Sequence, residues 1–205
     1  MRGYYFITDA ALSRAGNSSD VKNAAAAGVK VVQYREKQAS AKKMLEEARQ
    51  LREICRPAQV IFLVNDRVDL ALSVEADGVH LGQDDLPFAL ARKLLGKNKI
   101  IGITVHNIEE ALEGARLGAD YLGVSPIFNT STKIDSGEPG GVGLIREIRK
   151  RVALPLIAIG GINLENAREV IRAGADGLCA ISAVLTQSEV KAEIEKFQAL
   201  FRQKS

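Results

Sequence analysis

AGADG at 173–177 follows a helix-patterned stretch and opens a short apolar run, and related copies lie upstream: AAGVK at 26–30, EADGV at 75–79 and LGADY at 117–121. The shared logic is a glycine for the left-handed end of a helix, then a small and a polar residue before the chain re-enters a sheet. Outward from these junctions, short runs rich in Val, Ile, Leu and aromatics occupy 4–7, 29–34, 60–64, 78–81, 100–103, 121–124, 156–159 and 177–181. Helical patterns are expected at 20–27, 41–55, 68–74, 86–95, 108–117, 143–151, 164–173 and 189–201. Apolar runs alternating with amphipathic stretches are the pattern of parallel strands covered by helices. Eight such units of about 25 residues each make an α/β fold, a minimal (β/α)8 TIM barrel. An open doubly wound sheet fits less well, because no Gly-x-Gly-x-x-Gly follows the first run.

The chain of 205 residues is long enough for one sizeable core, so residues 1–205 are expected to form a single barrel domain. With 46% hydrophobic and 26% charged residues it falls in the globular range, which disfavours disorder and coiled coil. A net charge of +3 without a basic block argues against a nucleic-acid partner. Cys55 and Cys179 lack ligand spacing, and His80 and His106 are the only histidines, so neither a disulfide scaffold nor structural zinc is expected. The start, MRGYYFITDAALSR, has no charged segment leading into a long apolar run, and no stretch of about 18 apolar residues occurs. A cytoplasmic protein with no membrane partner is expected. Homo-oligomerisation is left open.

In a barrel of this kind the site lies at the carboxyl ends of the strands, so polar residues just after each run are the candidates. The second run ends Gln33-Tyr34-Arg35-Glu36-Lys37, and alternation puts Gln33, Arg35 and Lys37 on one side. Two cations there suit an anion, a solvated charged loop being the plainer reading. Asn65-Asp66 closes the third run and Gly82-Gln83-Asp84-Asp85 follows the fourth; Asp66 and Asp85 either hold a hard cation between them or cap the next helices. The fifth run leads to Thr104 and His106 on one side, with Asn107 placed to cap a helix; His106 is a general base or a structural donor, and His80 a core or supporting residue. The longest irregular segment, 125–142, holds Thr130, Thr132 and Lys133 and reads as a mobile lid with phosphate-binding chemistry. Gly160-Gly161 after the seventh run and Ile181-Ser182 after the eighth form the usual barrel position for a phosphate.

QYREK at 33–37, NDRVDLAL at 65–72, ADGVHLGQDD at 76–85, ADYLGVSPIFNTSTK at 119–133 and AIGGI at 158–162 together resemble the thiamine phosphate synthases over nearly the whole chain. The resemblance implies a transferase of thiamine biosynthesis that joins hydroxymethylpyrimidine diphosphate to thiazole phosphate, releases diphosphate and needs Mg2+. It implies further that Asp66 and Asp85 bind the metal. Arg35, Lys37, Asn65, Thr104 and Lys133 would bind the diphosphate, with Arg35, Lys37, Thr104 and Lys133 carrying the catalytic charge stabilisation. Gln33 would seat the pyrimidine, and Thr130, Thr132, Gly161, Ile181 and Ser182 the thiazole phosphate. Diphosphate departs first in such a reaction and the thiazole nitrogen traps the resulting cation, so no side-chain nucleophile is needed. Thr104 stands where many members have serine, and Tyr34 where phenylalanine or leucine is common, at a position expected to point away from the ligand. The alternative is the related thiazole tautomerase, an isomerase on the same barrel that uses a histidine after the fifth strand, here His106. A phosphate-ligand sensor on a degenerate barrel would leave the metal and cation set without a purpose.

Overall fold

Eight parallel strands close on themselves in chain order: β1 (Gly3–Ile7), β2 (Val31–Tyr34), β3 (Ile61–Asn65), β4 (Gly78–Leu81), β5 (Ile100–Val105), β6 (Tyr121–Val124), β7 (Leu156–Ile159) and β8 (Gly177–Cys179). Gly3 pairs with Gly177 to complete the barrel. The computed structural model describes residues 1–130 and 138–202. The outer layer is α1 (Asn17–Ala26), α2 (Ala41–Cys55), α3 (Val68–Ser73), α4 (Phe88–Leu95), α5 (Ile108–Leu117), α6 (Gly141–Arg149), α7 (Ala167–Arg172), α8 (Ile181–Leu185) and α9 (Val190–Leu200). Helix α2 shows how the sequence builds this layer: Ser40 Oγ caps it by accepting from Lys43 N at 3.4 Å, and Met44, Ala48, Leu51 and Cys55 bury one stripe.

Two apolar clusters follow from the two faces of each strand. Phe6, Val32, Phe62, Val79, Ile101 and Leu122 pack outward against helices, whereas Tyr5, Val31, Leu63, Tyr121, Ile157 and Cys179 fill the barrel interior. Both faces are buried, which is why the strands read as largely apolar runs. Cys55 and Cys179 are buried free thiols. Among the described residues no helix is long and apolar enough to cross a membrane.

The junction repeat performs more than a turn. Asp77, Asp120 and Asp176 each accept a hydrogen bond from the first backbone N–H groups of the preceding strand: Asp77 from Phe62 (2.7 Å), Asp120 from Ile101 (2.8 Å) and Asp176 from Leu156 (2.9 Å). Each also meets an arginine of the preceding helix layer: Arg52 on Asp77, Arg92 on Asp120 and Arg149 on Asp176. Gly28, Gly118 and Gly174 take positive φ as expected, but in the second copy Glu75 occupies that position at φ 53°. Several boundaries differ from expectation. Val29 still bonds to Ala24 O and Val60 to Cys55 O, so the helix ends run into what reads as strand, and β2 and β3 start later. The run expected at 177–181 stops at Cys179, because Ile181 opens α8, a short helix the periodicity does not separate from the strand.

Candidate active site

A cavity of about 270 Å3 opens at the carboxyl ends of the strands. Gln33, Arg35 and Lys37 line it from β2 and its loop, Asn65 from the end of β3, Asp66 just after it, and Asp85 from the loop after β4. Tyr34 faces the other way and donates to Glu47 Oε2 of α2 at 2.8 Å, as the alternation requires. Arg35 is held by the loop after β1: its Nη1 lies 3.5 Å from Asp9 Oδ2, and its backbone N–H donates to Thr8 Oγ1 at 2.9 Å. Thr8 and Asp9 are missed by sequence reasoning, although polar residues directly after the first apolar run are the signal that finds their counterparts elsewhere.

Lys37 Nζ pairs with Asp66, and Asp66, which lines the cavity, sits at φ 62° in the left-handed region. Asp85 Oδ2 accepts from Gly82 N at 2.6 Å. Burial raises the Asp85 carboxyl above its ordinary range, and the neighbouring Asp66 carboxyl, by hydrogen bond and charge, raises it further. Neither aspartate caps a helix: Arg67 and Pro87 occupy the N-cap positions of α3 and α4, with no side-chain cap. That removes the plainer of the two sequence readings. Two crowded carboxylates form a hard-oxygen donor pair whose repulsion a cation would relieve. Among the described residues no group of three or more His, Cys, Asp or Glu is gathered as a metal cage, so ligands from outside the chain would have to complete the shell.

The floor of the cavity is polar. Gln33 Nε2 donates to Tyr5 OH at 2.8 Å, Tyr5 OH meets Tyr121 OH at 2.7 Å, and His80 bridges Tyr121 OH and Thr104 Oγ1, both at 2.8 Å. All five side chains are buried. Burial lifts both phenols well above their ordinary range, so they stay protonated. Gln83, a further residue that sequence reasoning missed, donates from Nε2 to Thr104 O at 2.6 Å and lines the same space.

Across the barrel mouth, Ser125, Thr130, Gly160, Gly161, Ile181 and Ser182 complete the wall. Gly160 and Gly161 have φ 101° and 64°, which favours glycine. A Cβ on Gly161 would fall 2.5 Å from Asn129 O and one on Gly160 2.8 Å from Pro126 Cβ, so the space of both glycines is filled by the segment after β6. Ile127 N and Phe128 N donate to Ile159 O and Gly160 O at 2.9 and 3.0 Å. The base of the expected lid is thus a fixed part of the wall, while Thr132 and Lys133 lie outside the described residues. Asn107 caps α5 as expected, its Oδ1 accepting from Glu110 N at 2.8 Å. His106 stands on the rim with Nδ1 3.0 Å from Glu110 Oε2. Cys179 also lines the cavity, but burial raises its thiol far above the usual range, so it is no ready nucleophile.

Comparison with known proteins matches the sequence and the fold of the chain that builds this cavity. Residues 4–184 match the family model described as thiamine monophosphate synthase. The thiamine-phosphate synthase of Methanosarcina mazei is 52% identical over 200 residues, covering 98% of this chain and 83% of that protein. That of Chloroflexus aurantiacus is 54% identical over 197 residues, covering 96% and 91%. The solved thiamine phosphate pyrophosphorylase from Pyrococcus furiosus superposes with a TM-score of 0.89 at 39% identity, over 98% of this chain and 95% of that one. On sequence and fold together, the chain belongs to the thiamine monophosphate synthase family.

Proposed function

We infer that the chain is a thiamine-phosphate synthase of thiamine biosynthesis, and we propose that it couples hydroxymethylpyrimidine diphosphate to thiazole phosphate in the cavity at the carboxyl ends of its strands. The observation that carries the reading is the joining, in one cavity, of Gln33, Arg35 and Lys37 with the crowded pair Asp66 and Asp85. Asp66 and Asp85 would hold Mg2+, which when bound supplies positive charge beside the departing diphosphate. Arg35, steadied by Asp9 and Thr8, keeps a guanidinium aimed at the same charge. Lys37 neutralises Asp66 in the free chain and is placed to turn toward a phosphate. Asn65, Thr104 and Lys133 complete the diphosphate set in this proposal. Thr130, Thr132, Gly161, Ile181 and Ser182 seat the thiazole phosphate, and Gln33, anchored on Tyr5, orients the pyrimidine. Holding the two substrates in line while the leaving charge is stabilised is sufficient for such a substitution. A cytoplasmic location fits the anionic phosphate and diphosphate substrates of this proposal, which do not cross a hydrocarbon layer unaided.

The test is turnover of the purified chain with both substrates, with Mg2+ and with excess chelator. Product formed only with both substrates and metal supports the proposal; no product under any condition refutes it, and equal rates in chelator refute the metal assignment. The tautomerase reading rests on one observation, the His106 and Glu110 pair at the rim, and predicts isomerisation of a thiazole phosphate supplied alone.

A further inference from the structure

The buried chain Gln33, Tyr5, Tyr121, His80, Thr104 has a direction that can be worked out from its atoms. The Gln33 amide nitrogen donates and cannot accept, so Tyr5 OH is the acceptor at that end. The one proton of Tyr5 then points to Tyr121, its other hydrogen-bond partner in a position 2% exposed, since leaving it unpaired would cost about 1–3 kcal/mol. Tyr121 in turn directs its proton to His80 Nδ1, which must accept it. A neutral imidazole that accepts at Nδ1 carries its proton at Nε2, and Nε2 faces Thr104 Oγ1 at 2.8 Å. The Thr104 hydroxyl is then an acceptor on its buried side, and its own proton is left to point into the cavity it lines.

A second observation shows that room is made for this chain. A Cβ on Gly102 of β5 would lie 2.1 Å from Cζ of Tyr121, and one on Gly123 of β6 would lie 2.9 Å from Cε1 of His80. Both glycines have ordinary strand backbones, so it is the ring at each position, not the turn geometry, that demands them.

We propose that Tyr121, acting through His80, is a positioning residue that holds the Thr104 hydroxyl as a hydrogen-bond donor toward the diphosphate of the substrate. The inference rests on the synthase reading for the identity of that anion; the tautomer of His80 does not.

With two histidines in the chain, 15N spectroscopy of the imidazoles separates His80 from His106 once a His106→Gln variant is recorded. In the wild-type protein at neutral pH, His80 is expected as the Nε2–H tautomer. Tyr121→Phe removes the donor to Nδ1, and the ring is expected to populate the Nδ1–H form; kcat falls about tenfold, the scale of one hydrogen bond, while the KM for the thiazole substrate stays unchanged. In a Thr104→Val background Tyr121→Phe should have almost no further effect, because the relay then has nothing to orient. A wild-type Nδ1–H tautomer, or losses from Tyr121→Phe and Thr104→Val that multiply in full, would overturn the proposal. Should Tyr121→Phe fail to fold, Tyr5→Phe tests the same chain one step earlier. It leaves Tyr121 to donate to His80, so the Nε2–H tautomer and kcat are expected to persist and the pyrimidine substrate KM to rise severalfold as Gln33 loses the phenol that accepts from it at 2.8 Å; a changed tautomer would overturn the relay. Failure of the synthase reading shows separately, as absent turnover in the wild-type protein.

Discussion

Asp176→Ala should destabilise the barrel without touching its chemistry, and the size of the loss follows from the junction it closes. Asp176 accepts from the N–H of Leu156 at 2.9 Å, and Leu156 is fully buried at the head of β7. Alanine leaves that N–H without its partner, a loss of about 1–3 kcal/mol. Arg149 also loses Asp176, but it keeps Gly174 O at 3.1 Å and Leu154 O at 3.0 Å. Side-chain exposures of 29% and 42% place this ion pair near the surface, where its own share is at most about 1 kcal/mol. The sum is about 1–4 kcal/mol, or roughly 2–16 °C in Tm for a domain of this size. Asp176→Asn retains an acceptor oxygen and should cost about 1 kcal/mol or less. Thermal and urea unfolding of the two variants beside wild type provides the check, with kcat unchanged in both because Asp176 precedes β8 and the cavity lies beyond its other end. Equal losses for alanine and asparagine would mean that the N–H of Leu156 is not what Asp176 secures.

Asp66→Ala and Asp85→Ala should each abolish most turnover while the fold survives; near-normal, Mg2+-dependent rates in either variant would contradict the metal assignment. Arg35→Ala should depress kcat and kcat/KM together, since a cation facing the departing diphosphate acts most as that charge develops; a change confined to thiazole KM would mean the two anion sites are exchanged. His106→Ala should leave coupling within about tenfold of normal, and a drop of roughly a hundredfold or more would favour proton transfer at that residue. Asp20 is buried on α1 with Oδ1 unpartnered, and burial raises its carboxyl despite the hydrogen bond from Ser13 Oγ at 2.5 Å. A raised folded-state value means its contribution is present below the unfolded pKa of about 3.9 and is lost as pH rises through the folded value. Asp20→Asn should therefore raise Tm at neutral pH, with the gain shrinking as the medium is acidified; a constant gain across that range would exclude the charge as its source.

The fold was legible because both of its periodicities are written locally. Eight apolar runs and the recurring helix-to-strand junction need no knowledge of distant contacts, and the left-handed glycines at 28, 118 and 174 stand where that junction implies. What the junction does with its aspartates was not legible: the partners of Asp120, Ile101 and Arg92, lie 19 and 28 residues away. The boundary at Ile181 was lost for a related reason, since a helix of five residues imposes too little period to interrupt an apolar run. On the site, alternation was enough to set Gln33, Arg35 and Lys37 against Tyr34. It could not reveal the supports, Thr8 and Asp9, because they act across a sheet register that pairs Ile7 with Gln33. Nor did it distinguish Tyr5 and Tyr121 from other aromatic residues, since strands buried on both faces do not show which alternate set points inward.

That last ambiguity bears on how the barrel tolerates a polar centre. Tyr5, Gln33, His80, Thr104 and Tyr121 would each carry a desolvation cost if buried alone. Joined end to end they leave every interior link paired, and the chain reaches the cavity at both of its ends, through Gln33 and Thr104. Beneath them Val31, Leu63 and Ile157 keep the lower interior apolar. Gly102 and Gly123 weaken their strands as isolated choices. Here they admit Tyr121 and His80, and a side chain at either position would separate the hydroxyls and imidazole that make the layer self-consistent. The two cavity-facing ends, at Gln33 and Thr104, are therefore set by one packing arrangement that runs through Tyr5 and Tyr121, which do not themselves line the cavity.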